Sequence, residues 1–138
     1  MSRRVARETA LQVLYQIEIS GESENFLKII EHWSGEFALP PKSVEFTQVL
    51  VEGTLRHKKE IDAKIASTAH EWALDRMNAV DRNLLRLAIF EMVYYGHTPH
   101  RVILNEAIEI AKKFGEDDSS RFINGILDKF MDAAERSN

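Results

Sequence analysis

The sequence predicts an all-α fold, and three observations support this prediction. Apolar residues recur at intervals of three and four along most of the 138 residues, whereas no run shows the period of two that a half-buried strand requires. The chain has only six glycines and three prolines, too few for a loop-rich architecture. Hydrophobic residues make up 44%, enough for one core, so we expect residues 1–138 to form a single helical domain.

Helix breakers set the first three of about seven predicted helices. The first helix should span about Ser2 to Ser20, because Ser2 is a good N-cap and Gly21 a typical C-terminal stop. The second should end near Gly35. The third should start at Pro40 or Pro41, since proline is tolerated in a first helical turn.

The fourth and fifth helices differ in their apolar pattern. A cationic cluster, Arg56 to Lys59, marks a bend before the fourth helix, whose apolar stripe runs from Ile61 to Trp72. The fifth, about Ala79 to Tyr95, carries two apolar stripes. A helix that is apolar on two sides is usually central, so we expect the fifth helix to lie in the core.

The last two helices are separated by a glycine and an acidic run. Gly96 precedes the sixth helix and Gly115 ends it. The seventh should begin at the run from Asp117 to Ser119. The two aspartate carboxylates of this run favour a role at the positive end of the helix dipole over a role as cation ligands. Gly125 lies inside this helix at a cost of about 1 kcal/mol relative to alanine, and a close helix crossing would explain it.

The composition excludes several classes of function. Without cysteine, the chain cannot form disulfides, thiol nucleophiles or cysteine-based metal sites. It has no phosphate-binding glycine loop, nucleophile elbow or HExxH pair, and His97 and His100 are too few for a metal site. We therefore predict no enzymatic activity, no cofactor and no metal. No apolar run is long enough for a membrane span, which predicts a cytoplasmic protein without membrane contact.

Three arginines, Arg3, Arg4 and Arg7, form a cationic patch at the start of the chain. Domains that bind nucleic acid over their whole surface are usually strongly basic, whereas this chain has a net charge of −4. Any nucleic-acid contact must therefore be local. The patch could bind RNA phosphates, or it could be a solvated turn with an ion pair such as Arg4 with Glu8. Cations oppose the helix dipole here, so alanine substitutions should leave stability unchanged or slightly higher.

Two phenylalanines, Phe114 and Phe122, flank the turn before the last helix, near Lys112, Lys113 and Arg121. Aromatic rings beside cations are typical of single-stranded RNA recognition, because bases stack on the rings while cations neutralise phosphates. Both phenylalanines also fit the apolar stripes of their helices. The spacing alone favours core packing for both.

Three segments carry a family resemblance: RRVARETALQVLY at 3–15, AVDRNLLRLAIFEM at 79–92 and PHRVILNEAIEIAKKFGEDDSSRFINGILDK at 99–129. They resemble the NusB family of bacterial transcription antitermination factors. The resemblance implies two small, roughly perpendicular three-helix bundles with an extra helix. It also implies a non-enzymatic factor that binds boxA-type single-stranded RNA of ribosomal RNA leaders as a heterodimer with NusE, a small-subunit ribosomal protein. This complex joins other Nus factors on RNA polymerase.

The resemblance further implies two sets of site residues. Tyr15 and Asp81 match positions associated with the NusE-facing surface or with altered antitermination. If the Asp81 carboxylate faces partner cations, its replacement by lysine should weaken the NusE complex. The RNA-binding positions come from two stretches that would adjoin in such a fold, and they are Arg3, Arg4, Arg7, Phe114, Asp118, Arg121 and Phe122.

Two other interpretations remain open. One is the NusB-like domain of a ribosomal RNA cytosine methyltransferase, which we disfavour because no methyltransferase half follows Asn138 and the arginine-rich start suits the free factor. The other is a helical interaction module, such as a homodimer, without an RNA role. A homodimer is also an open alternative for the free antitermination factor.

Overall fold

The computed structural model describes residues 2–69 and 73–136, and within these it contains helices and no strand. The predicted all-α fold class is confirmed; Trp72 of the fourth predicted stripe lies outside the described residues. None of the helices in this part of the chain has the length and apolar character needed to cross a bilayer. The seven α-helices are α1 (Ser2–Ser20), α2 (Phe26–Glu36), α3 (Pro41–Arg56), α4 (Lys58–Ala69), α5 (Ala79–Phe90), α6 (His100–Phe114) and α7 (Ser119–Arg136).

Most helix ends follow from the breakers in the sequence. Gly21, at φ 73°, donates its N–H to the carbonyl of Ile17 and ends α1, and Pro41 is the first residue of α3. Short 3-10 turns, Ser23–Asn25 and Leu74–Arg76, precede α2 and α5. The sequence therefore predicts helix boundaries well wherever a residue limits the backbone conformation.

The predicted fifth helix consists of two different parts. The α-helix ends at Phe90, and a π-helical segment, Glu91–Tyr95, continues it. The N–H of Gly96 donates to the carbonyl of Glu91 at 3.1 Å, a bond that spans five residues instead of four. Such wider turns are frequently found at functional sites.

The helices form two groups around α5. Helices α1, α2 and α3 pack against one another, and so do α5, α6 and α7, while α4 lies against α5 and α7. Every residue from Asn83 to Met92 is buried, which confirms the central position predicted for the fifth helix. Helix α1 packs on both α3 and α5, so it belongs to the first group and also contacts the second.

The close helix crossing predicted at Gly125 is wrong. Apart from its chain neighbours and the local backbone of α7, no atom lies within 4 Å of the position that a Cβ would take there, because Gly125 is on the exposed face of α7. The close approach occurs at Gly53 of α3, where a Cβ would lie 2.1 Å from Cζ of Phe90. Helices α3 and α5 therefore pack closely at Gly53, because the ring of Phe90 occupies the space that a side chain at position 53 would need.

Candidate nucleic-acid interface

Arg7 is a buried residue of the arginine patch and is only 7% exposed. Its Nε and Nη2 donate to the two carboxylate oxygens of Glu91 at 2.8 and 2.6 Å, and its Nη1 donates to Glu106 at 3.3 Å. Burial opposes the charge of Arg7, but the hydrogen bonds and charge of Glu91 outweigh it and raise the pKa of Arg7. Arg7 thus ties α1 to the π-helical segment that begins at Glu91.

Arg4 is more exposed and makes a bidentate ion pair. Its Nε and Nη2 each donate to Glu106 at 2.6 Å, and these hydrogen bonds raise the pKa of Arg4 and lower that of Glu106. The ion pair considered between Arg4 and Glu8 is not formed, because Glu8 accepts from Lys113 at 3.1 Å. Two nitrogens of Arg4 face Glu106, and the N–H groups of Nη1 are available to a ligand.

Arg3 is exposed and lies over an aromatic ring. Its guanidinium carbon is 4.0 Å from the ring centroid of Phe46, and Nη1 is 3.4 Å from the hydroxyl of Tyr95. These contacts hold the side chain in place without neutralising its charge. Arg3 is therefore a positioned cation at the start of α1.

The arginines line one cleft, which we call the arginine cleft. Its volume is about 770 Å³, and Tyr95, His97 and Glu106 contribute to its wall. Charged forks and an aromatic side chain around a cleft of this size can bind a phosphate and an adjacent planar group. No group of three or more His, Asp or Glu side chains that could hold a metal occurs in residues 2–69 and 73–136.

The expectation that alanine at all three arginines preserves stability is wrong for Arg7. The helix-dipole argument treats the arginines as solvated, whereas Arg7 compensates the charge of Glu91, which is 2% exposed. Removing Arg7 leaves that carboxylate buried without its cation, a much larger cost than any gain in helix propensity.

The two phenylalanines near the last turn have different environments. Phe114 is 42% exposed, and Nζ of Lys113 lies 5.2 Å from its ring centroid. Phe122 is half-buried and packs against the hydrophobic core. Core packing therefore describes Phe122 but not Phe114, whose ring faces solvent beside a cation.

The turn between α6 and α7 contacts both α1 and α5. On one side, the ion pair between Lys113 and Glu8 places Phe114 next to α1. On the other side, Nδ2 of Asn78 lies 3.5 Å from Glu116, close to the start of α5. Asp118 and Arg121 are both exposed at this turn. The structure thus brings Phe114 near the arginine end of α1, with Asp118 and Arg121 beyond the turn.

Tyr15 and Asp81, the predicted NusE-facing residues, differ in accessibility. Tyr15 is exposed on α1, whereas Asp81 is 6% exposed and lies in the first turn of α5, which Asn78 caps. The N–H of Asp81 donates to Oδ1 of Asn78 at 2.8 Å, and Oδ2 of Asp81 accepts from Nδ2 of Asn78 at 3.2 Å. The expectation that this carboxylate faces partner cations is wrong, because it points into the protein. A role for position 81 in partner binding stays a prediction.

Replacing Asp81 by asparagine should raise the free energy of unfolding at pH 7. Burial raises the pKa of Asp81 above its ordinary 3.8, although hydrogen bonds from Ser119 and Asn78 oppose the shift. The folded state therefore holds this proton more tightly than the unfolded chain does, so stability falls as pH rises from 3.8 through the folded pKa. The gain in the free energy of unfolding that Asp81→Asn gives should thus disappear near pH 3. Urea titrations at several pH values measure this gain. An exposed control, Asp75→Asn, should show no such pH-dependent gain, and an equal gain in both variants would contradict the assignment.

Two important residues, Glu91 and Glu106, were not identified from the sequence. A signal for Glu91 exists, because it lies between the apolar segments AIF and MVYY, and a buried carboxylate needs a cation. Nothing in the sequence around Glu106 distinguishes it from other charged residues on α6. Its pairing with Arg4 and Arg7 depends on the tertiary fold.

The fold and the arginine cleft define a small all-α protein with a cationic binding surface. The family model that describes the NusB family matches residues 4–132. The chain belongs to the NusB family, which confirms the family predicted from the three segments.

Comparison with individual proteins agrees with this assignment. The chain is 51% identical over 138 residues to the transcription antitermination protein NusB of Desulfitobacterium hafniense, covering 100% of this chain and 93% of that protein. It is similar to T. maritima NusB, with a TM-score of 0.86, 35% identity and coverage of 94% and 90%. A structure of the antitermination factors NusB and NusE in complex with dsRNA matches with a TM-score of 0.86 and 28% identity, covering 96% of this chain and 97% of that one.

Proposed function

We propose that this protein is a non-enzymatic transcription antitermination factor. It binds boxA-type single-stranded RNA as a heterodimer with NusE and joins other Nus factors on RNA polymerase. Its place of action is therefore the cytoplasm. Family membership supports the proposal, as does the structure of NusB and NusE in complex with dsRNA, which supports RNA binding and the NusE partner. The observation that carries it is the arginine cleft, in which Arg3 and Arg4 are positioned cations beside the aromatic side chain of Tyr95.

The proposed RNA-binding residues divide by their environment into two groups. Exposed or partly exposed side chains contact the RNA directly. Arg7 and Phe122 lie beneath the surface and hold the contacting residues in position. Arg7 does so through Glu91 and Glu106, and Phe122 by packing under the last turn. The direct contacts come from Arg3, Arg4, Phe114, Asp118 and Arg121.

The proposed NusE surface lies further along α1. Tyr15 is exposed, and Ile19, one turn later, is 69% exposed. Between them Glu18 pairs with Arg82, the neighbour of Asp81, which connects this part of α1 to the start of α5. We propose that one domain carries both surfaces and that α1 contributes residues to each. Since the chain has a net charge of −4, a basic partner extends the cationic surface and raises RNA affinity.

Replacing both Arg3 and Arg4 by alanine should weaken RNA binding and flatten its salt dependence. Each phosphate contact to a single strand contributes roughly 0.7 to the slope of log affinity against log salt, so the slope should fall by about 1.4. Fluorescence titrations of a boxA-like RNA at several salt concentrations, with and without NusE, measure this change.

The matched control replaces two exposed cations on the α3–α4 side, Arg56→Ala with Lys59→Ala. This variant should keep the slope of the unmodified protein. An equal slope in both double variants would show that the arginine cleft does not bind phosphate. Equal RNA affinity with and without NusE would contradict the cooperative heterodimer.

A further inference from the structure

A second cleft, which we call the aromatic groove, is lined by residues of α1 other than the arginines. Three exposed apolar side chains from three elements line it: Val5 of α1, Phe37 just after α2, and Phe114 at the end of α6. Its volume is about 380 Å³, and Gln12 and Lys113 contribute polar groups. Exposed aromatic rings from separate elements around one small cavity indicate a binding site.

We propose that the aromatic groove receives one unstacked base of the bound single-stranded RNA, and that Phe37 is a base-contacting residue together with Phe114. This inference rests on the proposed RNA-binding function and adds a base subsite to it. Phe37 was not among the residues identified from the sequence.

The size of the groove favours a single planar group. A cavity of 380 Å³ is at the lower end of the range for small-molecule sites. An α-helix with its side chains is about 10–12 Å across and needs a longer and wider groove. One base with its sugar therefore fits the space better than a helix from a partner protein.

The rim of the groove carries a cation that a nucleotide can use. Nζ of Lys113 lies 5.2 Å from the ring centroid of Phe114 and pairs with Glu8 at 3.1 Å, so the phosphate of a base that stacks on the ring would compete with Glu8 for this cation. The side-chain amide of Gln12 makes no hydrogen bond within the described residues, so it can donate to and accept from a base edge. The hydroxyl of Thr9 already donates to the carbonyl of Val5 at 2.7 Å.

Phe37 is held in place before any ligand binds. Its ring stacks on Trp33 with centroids 5.5 Å apart, and Nε1 of Trp33 donates to Gln16 of α1 at 2.7 Å. The next residue, Ala38, has φ 51°, a left-handed conformation that costs a residue other than glycine roughly 1–2 kcal/mol. One face of the Phe37 ring is therefore fixed against Trp33, and the exposed side of the ring is presented to the groove.

The groove and the arginine cleft share no lining residue, but both are lined by residues of the N-terminal half of α1. Val5 follows Arg4 directly in α1, and Glu8, which also lines the groove, pairs with Lys113. A single strand that crosses α1 can therefore place phosphates at the arginine cleft and a neighbouring base in the aromatic groove.

Single-stranded boxA-like RNAs with 2-aminopurine at successive positions test the proposal on the full chain mixed with NusE. One labelled position should lose fluorescence on binding, because the base stacks on an aromatic ring. Phe37→Ala should restore that fluorescence and lower RNA affinity by about 5- to 140-fold, the range that corresponds to one stacked base. Phe37→Leu keeps an apolar side chain against Trp33 and should lose the fluorescence change while the fold, measured by circular dichroism, is unchanged.

The control is Val49→Ala, an exposed apolar residue of α3 outside the groove, which should change neither signal. If both Phe37 variants bind RNA with unchanged affinity and fluorescence while the arginine double variant loses affinity, the base subsite is wrong and the proposed function stands. Weaker NusE binding with unchanged RNA affinity would assign the groove to the protein partner and overturn the inference. Failure of the unmodified protein to bind RNA would refute the proposed function itself.

Discussion

Replacing Arg7 by alanine is expected to lower the free energy of unfolding by about 3–5 kcal/mol. Arg7 and Glu91 are both buried and joined by two hydrogen bonds, so the alanine variant leaves a carboxylate in the core without its cation. Glu106 loses one of its two arginines as well. Urea denaturation followed by circular dichroism measures the change.

Two variants separate the buried charge from other effects of the substitution. Arg3→Ala removes an exposed arginine one turn earlier and should cost less than about 1 kcal/mol, the value of an exposed cation–π contact. Arg7→Met combined with Glu91→Leu removes both charges and should recover most of the lost stability. Equal losses for Arg3→Ala and Arg7→Ala would show that the buried ion pair does not form.

The second large effect is expected for Gly53→Ala, which should destabilise the protein by about 2 kcal/mol. The new Cβ would lie 2.1 Å from the ring of Phe90, and this ring is buried in α5, so either α3 or the ring must move. Overpacking of this kind costs about 1–3 kcal/mol, against a gain of about 1 kcal/mol in helix propensity. The geometry places the overpacking cost near the upper end of this range, which leaves a net loss of about 2 kcal/mol.

Gly125→Ala is the matched control, since the substitution is the same and the helical conformation is similar. No atom is within 4 Å of the new Cβ, so only the propensity gain remains and stability should rise by about 1 kcal/mol. Thermal unfolding of the two variants should therefore give shifts of opposite sign. Shifts of the same sign would mean that the contact between Gly53 and Phe90 is not tight.

The helices were predictable because their signals are local. Gly21 and Pro41 fix helix ends through their own backbone limits, and the apolar stripes of α5 identify it as central. The glycine in α7 was misjudged because the sequence shows that a glycine is present but not which helix passes close to it. For the same reason the tight contact at Gly53 could not be found.

The site was predictable only in part, since its charges are paired across the chain. Arg7 and Glu91 are 84 residues apart, so the number of arginines in a short segment could not show that one of them is buried. Asp81 is turned inward by Asn78, although its position near the start of a helix was clear. Phe37 belongs to the aromatic groove through tertiary contacts with α1 and α6, which local spacing does not encode.

Helix α1 is attached along its length to both groups of helices, and this attachment has a kinetic consequence. The N-terminal turns of a protein often fray, but here Arg7 is bonded to the π-helical segment and α1 packs on α3 and α5. An arriving RNA strand thus meets a surface that needs no prior ordering step. We therefore expect single-phase association, with an observed rate that rises linearly with RNA concentration, and differences among RNA sequences that lie mainly in the dissociation rate.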